Sequence, residues 1–262
     1  MVLADTGVLL ATPNGTGAVA AVIRKSADVI RGYIKFIAVR PDAQRRGLGR
    51  RLLAAGEDWL TSEGARLVNL GAGAPLYLWP GVDTANLPAQ SLALAAGYRV
   101  VGCDLNLRLP TSYHANTPEW ILVRRMGGTG DADGRLVTAL RELVAREWPI
   151  WMPEFELGIT HGALFGAFSQ RPGAESPALG FCAHSTLRRG WIGPLGTHPR
   201  YRQQGVGAAL VSAVCGDLRR LGYDQAEVPW VGPIAYFADR GATLSRAFRR
   251  FSRTIEPPDR GT

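Results

Sequence analysis

The chain has 262 residues, 46% of them hydrophobic and 20% charged, a balance that fits a packed globular protein and excludes a disordered one. No apolar run reaches the roughly 18 residues needed to cross a bilayer, and the start, "MVLADTGVLLATPNGTG", has no basic leader, so a cytoplasmic location is expected. The formal net charge of +8 favours an anionic partner: a phosphorylated cofactor, an acidic carrier protein or, less favoured because the arginines are scattered, nucleic acid.

In chain order, "GVLLAT", "AVAAVIR" and "YIKFIAV" read as strands. "RPDAQRRGLG" follows as a loop, and Leu48, Leu52, Trp59 and Leu60 then fall on one helical face that Gly64 closes. "RLVNLGA" is the next strand, "SLALAAG" a short helix, and "YRVVGCDLNLRL" the last strands of this part. "PTSYHANTP" is turn-rich and reads as a linker. Beyond it come a strand at "EWILVRRM", a helix at "RLVTALRELVAREW" with Asp133 as a possible N-cap, and a strand at "ALGFCAHSTL". "WIGPLGT" is a further strand, "HPRYRQQG" a loop, and Val206, Leu210, Val214, Leu218 and Leu221 mark a helix with Gly222 past its end. "AEVPWV" and "AYFADRG" close the series as strand and short helix. The fold class is therefore α+β, a tandem repeat with an N-terminal domain at 1–113 and a C-terminal domain at 114–262. The first repeat is the shorter, with no counterpart of the helix at 135–148.

The repeat is plainest at two glycine pairs. "RRGLGRRLL" begins at residue 45 and "RQQGVGAAL" at residue 202, and Gly205 and Gly207 follow Gly47 and Gly49 by the same 158 positions. A strand running into a tight glycine loop and then a helix N-terminus makes an anion site, because the loop amides and the helix dipole both favour negative charge. Arg45, Arg46 and Arg50 flank the first pair, and Arg202 and Gln203 the second, as further donors. Neither spacing is that of a dinucleotide fold or of a P-loop. Gly193, Pro194 and Gly196 inside "WIGPLGT" point to a strand that bulges or leaves its neighbour. Cys103, Cys182 and Cys215 have no metal-ligand spacing, and no metal is expected.

"VRPDAQRRGLGRRLL" and "THPRYRQQGVGAAL" resemble the signature of the GNAT superfamily of N-acyltransferases, Val-x-Pro followed by Gln/Arg-x-x-Gly-x-Gly/Ala at a helix start, with Thr197 in place of the usual valine in the second copy. The resemblance implies two GNAT-like domains, each a mixed twisted sheet flanked by helices, and an acyl-CoA, acetyl-CoA by default, as donor. It also implies that the diphosphate lies on the amides of Arg45, Arg46, Gly47, Leu48, Gly49 and Arg50, beside Gln44 of the same motif. In the second copy the corresponding residues are Gln203, Gln204, Gly205, Val206, Gly207 and Ala208, beside Arg202. The pantetheine would face Ile37 and Val39, or Leu195 and Thr197.

Direct acyl transfer needs a base for the acceptor ammonium and a donor for the leaving thiolate. The family's tyrosine, four residues before a glycine, is Ala93 in the first repeat and Phe237 in the second, where Tyr236 stands one place earlier. Tyr33 and Trp191 occupy the place of the family's acidic strand residue. The candidate catalytic residues are Tyr236 and His184, with Glu227 and Asp239 as further carboxylates. Because only the second repeat keeps the helical segment and the large apolar residues Trp148, Trp151, Met152 and Phe155, catalysis is assigned to it and the first repeat is read as supporting. The expected acceptor is a small-molecule or peptide amine. A longer acyl chain on CoA or on an acyl carrier protein, and a non-catalytic acyl-CoA-binding module, stand as alternatives.

Overall fold

The computed structural model describes residues 7–26, 29–73, 77–127, 131–171 and 177–255. They form twelve strands and six helices, and the chain packs into two compact units, 1–105 with 246–262, and 106–245. The units differ from the division at 113/114 suggested by the linker. The last strand of each repeat is long enough to begin in one unit and end in the other.

In unit 1, β1 (Gly7–Ala11), β2 (Gly17–Ser26) and β3 (Val29–Val39) form an antiparallel meander. No helix separates β1 from β2, as the shortened first repeat predicts. The crossover helix α1 (Leu48–Ser62) returns the chain to β4 (Leu67–Leu70), which pairs parallel with β3. Leu52, Leu53 and Leu60 on the inner face of α1 are buried with Val19, Ile34 and Val68 of the sheet, the driving term for this layer. Gly56 sets the approach: a Cβ there would lie 2.8 Å from Ile34 Cδ1, so the helix backbone sits directly on the sheet. After β5 (Val82–Asp83) and α2 (Leu87–Ala95), the chain enters β6 (Arg99–Pro110). The sheet is completed by β12 (Thr243–Thr254), which runs antiparallel to β4 and β5 and is also bonded to β6.

Unit 2 holds β7 (Ile121–Met126), α3 (Asp131–Glu147), α4 (Met152–Thr160), β8 (Leu164–Ser169), β9 (Ala178–His184) and β10 (Ile192–Thr197). The four strands form an antiparallel sheet in the order β10-β9-β8-β7. Both helices lie between the first two strands of this repeat, where the first repeat has a plain hairpin. The helix α3 begins at Asp131, ahead of the expected N-cap at Asp133. Next come α5 (Val206–Arg220), β11 (Gln225–Val228), which pairs with the end of β6, and α6 (Ile234–Ala238). Val206, Leu210, Val214 and Leu218 of α5 are buried as their spacing predicts, but Leu221 lies past the helix end and is exposed. Among the described residues, no helix is long and apolar enough to cross a membrane.

Candidate functional site

The first glycine loop is built by backbone geometry. Arg45 and Gly47 take positive φ values of 63° and 77°, which turn the chain out of a short 3-10 turn and into α1. Gly47 is the N-cap with no side-chain bond over it, and a Cβ added there would meet only the Arg51 guanidinium at 3.6 Å. The first-turn amides of α1 thus lack a side-chain cap from this residue, as an anion cradle requires.

Behind the loop the sheet opens. The parallel ladder of β3 and β4 runs from Arg31/Leu67 to Ile34/Leu70, and the Gly71 amide makes the next bond, to Ile34 O at 2.8 Å. The following amide, of Ala72, turns away to Trp79 O. On its other side β3 carries a bulge, since Ala20 pairs with Phe36 and Ala21 with Ile34, so that Lys35 is the extra residue. From the opening to Val39 is five residues, about 17 Å of extended strand, which separates the fork from the glycine loop.

A cavity of about 780 Å³ follows that stretch, within the usual range of about 300–1,000 Å³ for small-molecule sites. Ile37, Val39, Gln44, Arg45, Gly47, Gly49 and Arg50 line it; Arg46 and Leu48 do not. Sequence reasoning missed other parts of the wall, among them Lys35, Trp79, Asp83, Asn86, Arg246 and Phe248. Lys35 is buried and donates to the carbonyls of Ala72 and Gly73, tying the bulge to the loop that leaves β4. A lysine inside "YIKFIAV" was the one local signal. Arg246 and Phe248 come from the last strand of the other repeat, and nothing near them in sequence points to the first glycine loop.

In unit 2 the same fork and loop are present but dressed differently. Gln203 and Gly205 repeat the positive φ values, at 61° and 89°. A bulge between Ile192 and Leu195 holds a cis Gly193–Pro194 bond, and Trp191 bridges to Glu227 in parallel. Here, however, Pro118 lies 3.1 Å from the Cβ position of Gly205, and the Tyr236 hydroxyl and Thr197 Oγ1 both lie 3.5 Å from that of Gly207. Trp148 abuts Gly196, and Leu195 packs with Tyr236 against the core.

The expected catalytic residues of this unit are not assembled as a pair facing a cleft. His184 is 1% exposed, with Nε2 2.9 Å from Asp217 and Nδ1 3.1 Å from Ser185, so both ring nitrogens are engaged in the interior. Burial holds its pKa below the ordinary value, against the hydrogen bond and charge of Asp217. Tyr236 has a buried hydroxyl with no close hydrogen-bond partner among the described residues, and its ring lies beneath the Arg240 guanidinium, 3.6 Å from the centroid. Its pKa is pushed up to about 12, chiefly by burial. Glu227 accepts from Asn106 at 2.7 Å and from the Trp191 indole at 3.1 Å, which commits it to the fold, and Asp239 ends α6 as an exposed C-cap. Of this group, Phe155 is fully buried, and the partly buried Trp148, Trp151 and Met152 pack against the same cluster.

The glycine loops, the forked sheets and the duplication together define an acyltransferase fold. The chain belongs to the acetyltransferase (GNAT) family, whose model matches it twice, at residues 6–98 and 140–232. Among curated protein sequences none matches this chain. Among solved structures it is similar to a tandem GNAT protein from the clavulanic acid biosynthesis pathway, at 18% identity and a TM-score of 0.69, covering 98% of this chain and 86% of that one. A GCN5-related N-acetyltransferase from Sphaerobacter thermophilus shares 20% identity at a TM-score of 0.62, over 98% and 83% of the two chains. A glucosamine N-acetyltransferase region of a fungal multi-domain β-N-acetylglucosaminidase shares 18% identity at a TM-score of 0.71; 94% of this chain is covered, but only 33% of the fungal one. The protein is thus a tandem GNAT acyltransferase.

Proposed function

We propose that the protein transfers an acyl group from acyl-CoA to an amine in the cleft of unit 1, with acetyl as the default group. The observation that carries this reading is the fork at Ile34/Gly71, which opens into a cavity bounded at its other end by the first glycine loop. The residues fit the donor. The loop amides around Gly47 and the N-terminus of α1, with Arg45 and Arg50, would hold the diphosphate, while β3 beyond the bulge offers peptide groups to the pantetheine amides. An acyl-CoA supplies an activated thioester carbonyl and a good leaving group. Lys35 keeps the fork open by fixing the loop after β4. The family's tyrosine is replaced by the fully buried Ala93, so protonation of the leaving thiolate is left to water.

This reading moves the site from the second repeat, where Tyr236 and His184 pointed, to the first. The repeats at 1–113 and 114–262 remain the units of duplication. The second then serves as a scaffold that also supplies Arg246 and Phe248 to unit 1. A longer acyl chain, a carrier-bound donor and a cytoplasmic setting belong to the same proposal but draw no separate support from the cavity.

Release of free thiol from acetyl-CoA, followed with a panel of small amines and peptides, tests it. Turnover with at least one amine is expected. Tight CoA binding with silence across the panel would instead favour a non-catalytic acyl-CoA module.

A further inference from the structure

Arg246 is a charged wall residue of the unit 1 cavity that the donor's phosphates do not explain. It lies on β12 two residues before Phe248, hence on the same face of the strand, and Phe248 stands opposite Asp83 in the β5 ladder. The guanidinium Nη2 is 2.5 Å from Asp83 Oδ2, while Asp83 Oδ1 accepts from the Ala85 amide at 2.9 Å. Its central carbon is 5.5 Å from the ring centroids of both Trp79 and Phe248, so two aromatic faces and a carboxylate fix the group in place. The side chain is still 38% exposed, and Asp83 is 15% exposed. Five N–H donors in a planar fork outnumber what one carboxylate oxygen can take.

Charge points the same way. Among the described residues, Lys35, Arg45, Arg50 and Arg246 line the cavity with one carboxylate, Asp83. With Arg45 and Arg50 assigned to phosphates and Lys35 held by the Ala72 and Gly73 carbonyls, Arg246 is the partly exposed cation that can meet a carboxylate on a reactant.

We infer that one of the two reactants carries a carboxylate, bound by the Arg246 fork and oriented by Asp83. This rests on the unit 1 cleft being the acyl-CoA site. The carboxylate belongs either to the acceptor, as in an amino acid, or to the acyl group, as in a dicarboxylic monothioester.

Calorimetry separates the cases, with wild type beside Arg246→Gln, and Asp83→Asn as a second variant that keeps the guanidinium. Acetyl-CoA, succinyl-CoA and glutaryl-CoA are titrated first. Glycine, leucine, phenylalanine and glutamate, each beside its α-amide, are then titrated into the CoA-saturated protein. A carboxylate advantage of about tenfold or more in Kd, from charge-assisted hydrogen bonds, that is lost in Arg246→Gln supports the inference. If it appears among the thioesters, the carboxylate is on the acyl group; if among the amino acids, it is on the acceptor. Should Arg246→Gln fail to fold, Asp83→Asn must weaken the same preference by about threefold or more, since the fork loses its orienting partner. If acetyl-CoA binds but neither carboxylate series shows an advantage, or the advantage survives substitution of Arg246, the inference falls and the cleft assignment stands. If no thioester binds, both fall.

Discussion

Gly47 and Gly205 adopt the same left-handed backbone, at φ 77° and 89°, and each begins a fifteen-residue helix, yet their surroundings have diverged. Over Gly47 only a mobile-headed arginine approaches, and the strand behind it lines a cavity of about 780 Å³. Pro118 packs 3.1 Å from the Cβ position of Gly205, and Tyr236 and Trp148 fill in along the neighbouring strand. A glycine motif therefore preserves a backbone conformation. The side chains around it come from elsewhere, in the second copy from the segment after residue 113 and from the helix α6.

The largest effect expected from this difference is on cofactor affinity. Replacing Arg45 and Arg50 together by glutamate sets two like charges against the diphosphate and should weaken CoA binding about a hundredfold, or about 2.7 kcal/mol. Arg202→Glu at the second loop should change it less than twofold. Titration of CoA into the two variants sharpens the comparison, and equal losses would break it.

A second expectation concerns pH and the interior of unit 2. His184 has a folded pKa held below its unfolded value of 6.5, so the unfolded chain takes up a proton first as pH falls. Its contribution is fully present above about 6.5 and is lost as pH drops from there toward the lowered folded value, by at most about 1.4 kcal/mol per pH unit. Melting curves between pH 5 and 8 should show this loss in wild type and a flatter profile in His184→Gln. Activity measured above pH 7 should not follow a histidine titration, since this ring lies in the core.

The smallest effect is expected at Tyr236. Its hydroxyl is buried with no close hydrogen-bond partner among the described residues, so Tyr236→Phe should leave stability unchanged or raise it, by less than about 1 kcal/mol. Thiol release should stay within twofold of wild type. A large fall in kcat would return catalysis to the second repeat.

Much of this architecture was legible in the sequence, for physical reasons. Gly47 and Gly205 announce themselves because few other residues suit their left-handed backbone, and the apolar spacing on α5 matches its buried face from Val206 to Leu218. The missing helices between β1 and β2 were also visible, as a stretch too short to hold them. What sequence could not show was what surrounds each loop and fork. Pro118 beside Gly205, and Arg246 and Phe248 in the wall of the unit 1 cavity, lie far along the chain from the motifs they accompany. At His184, an isolated histidine in an apolar strand gives no sign of a buried partner such as Asp217.

The most direct test of the central claim is a count. Native mass spectrometry of the intact chain with excess CoA should show one molecule bound per chain, and none in the Arg45→Glu, Arg50→Glu variant. Two bound molecules, or one that persists in that variant, would contradict the assignment of the site to unit 1.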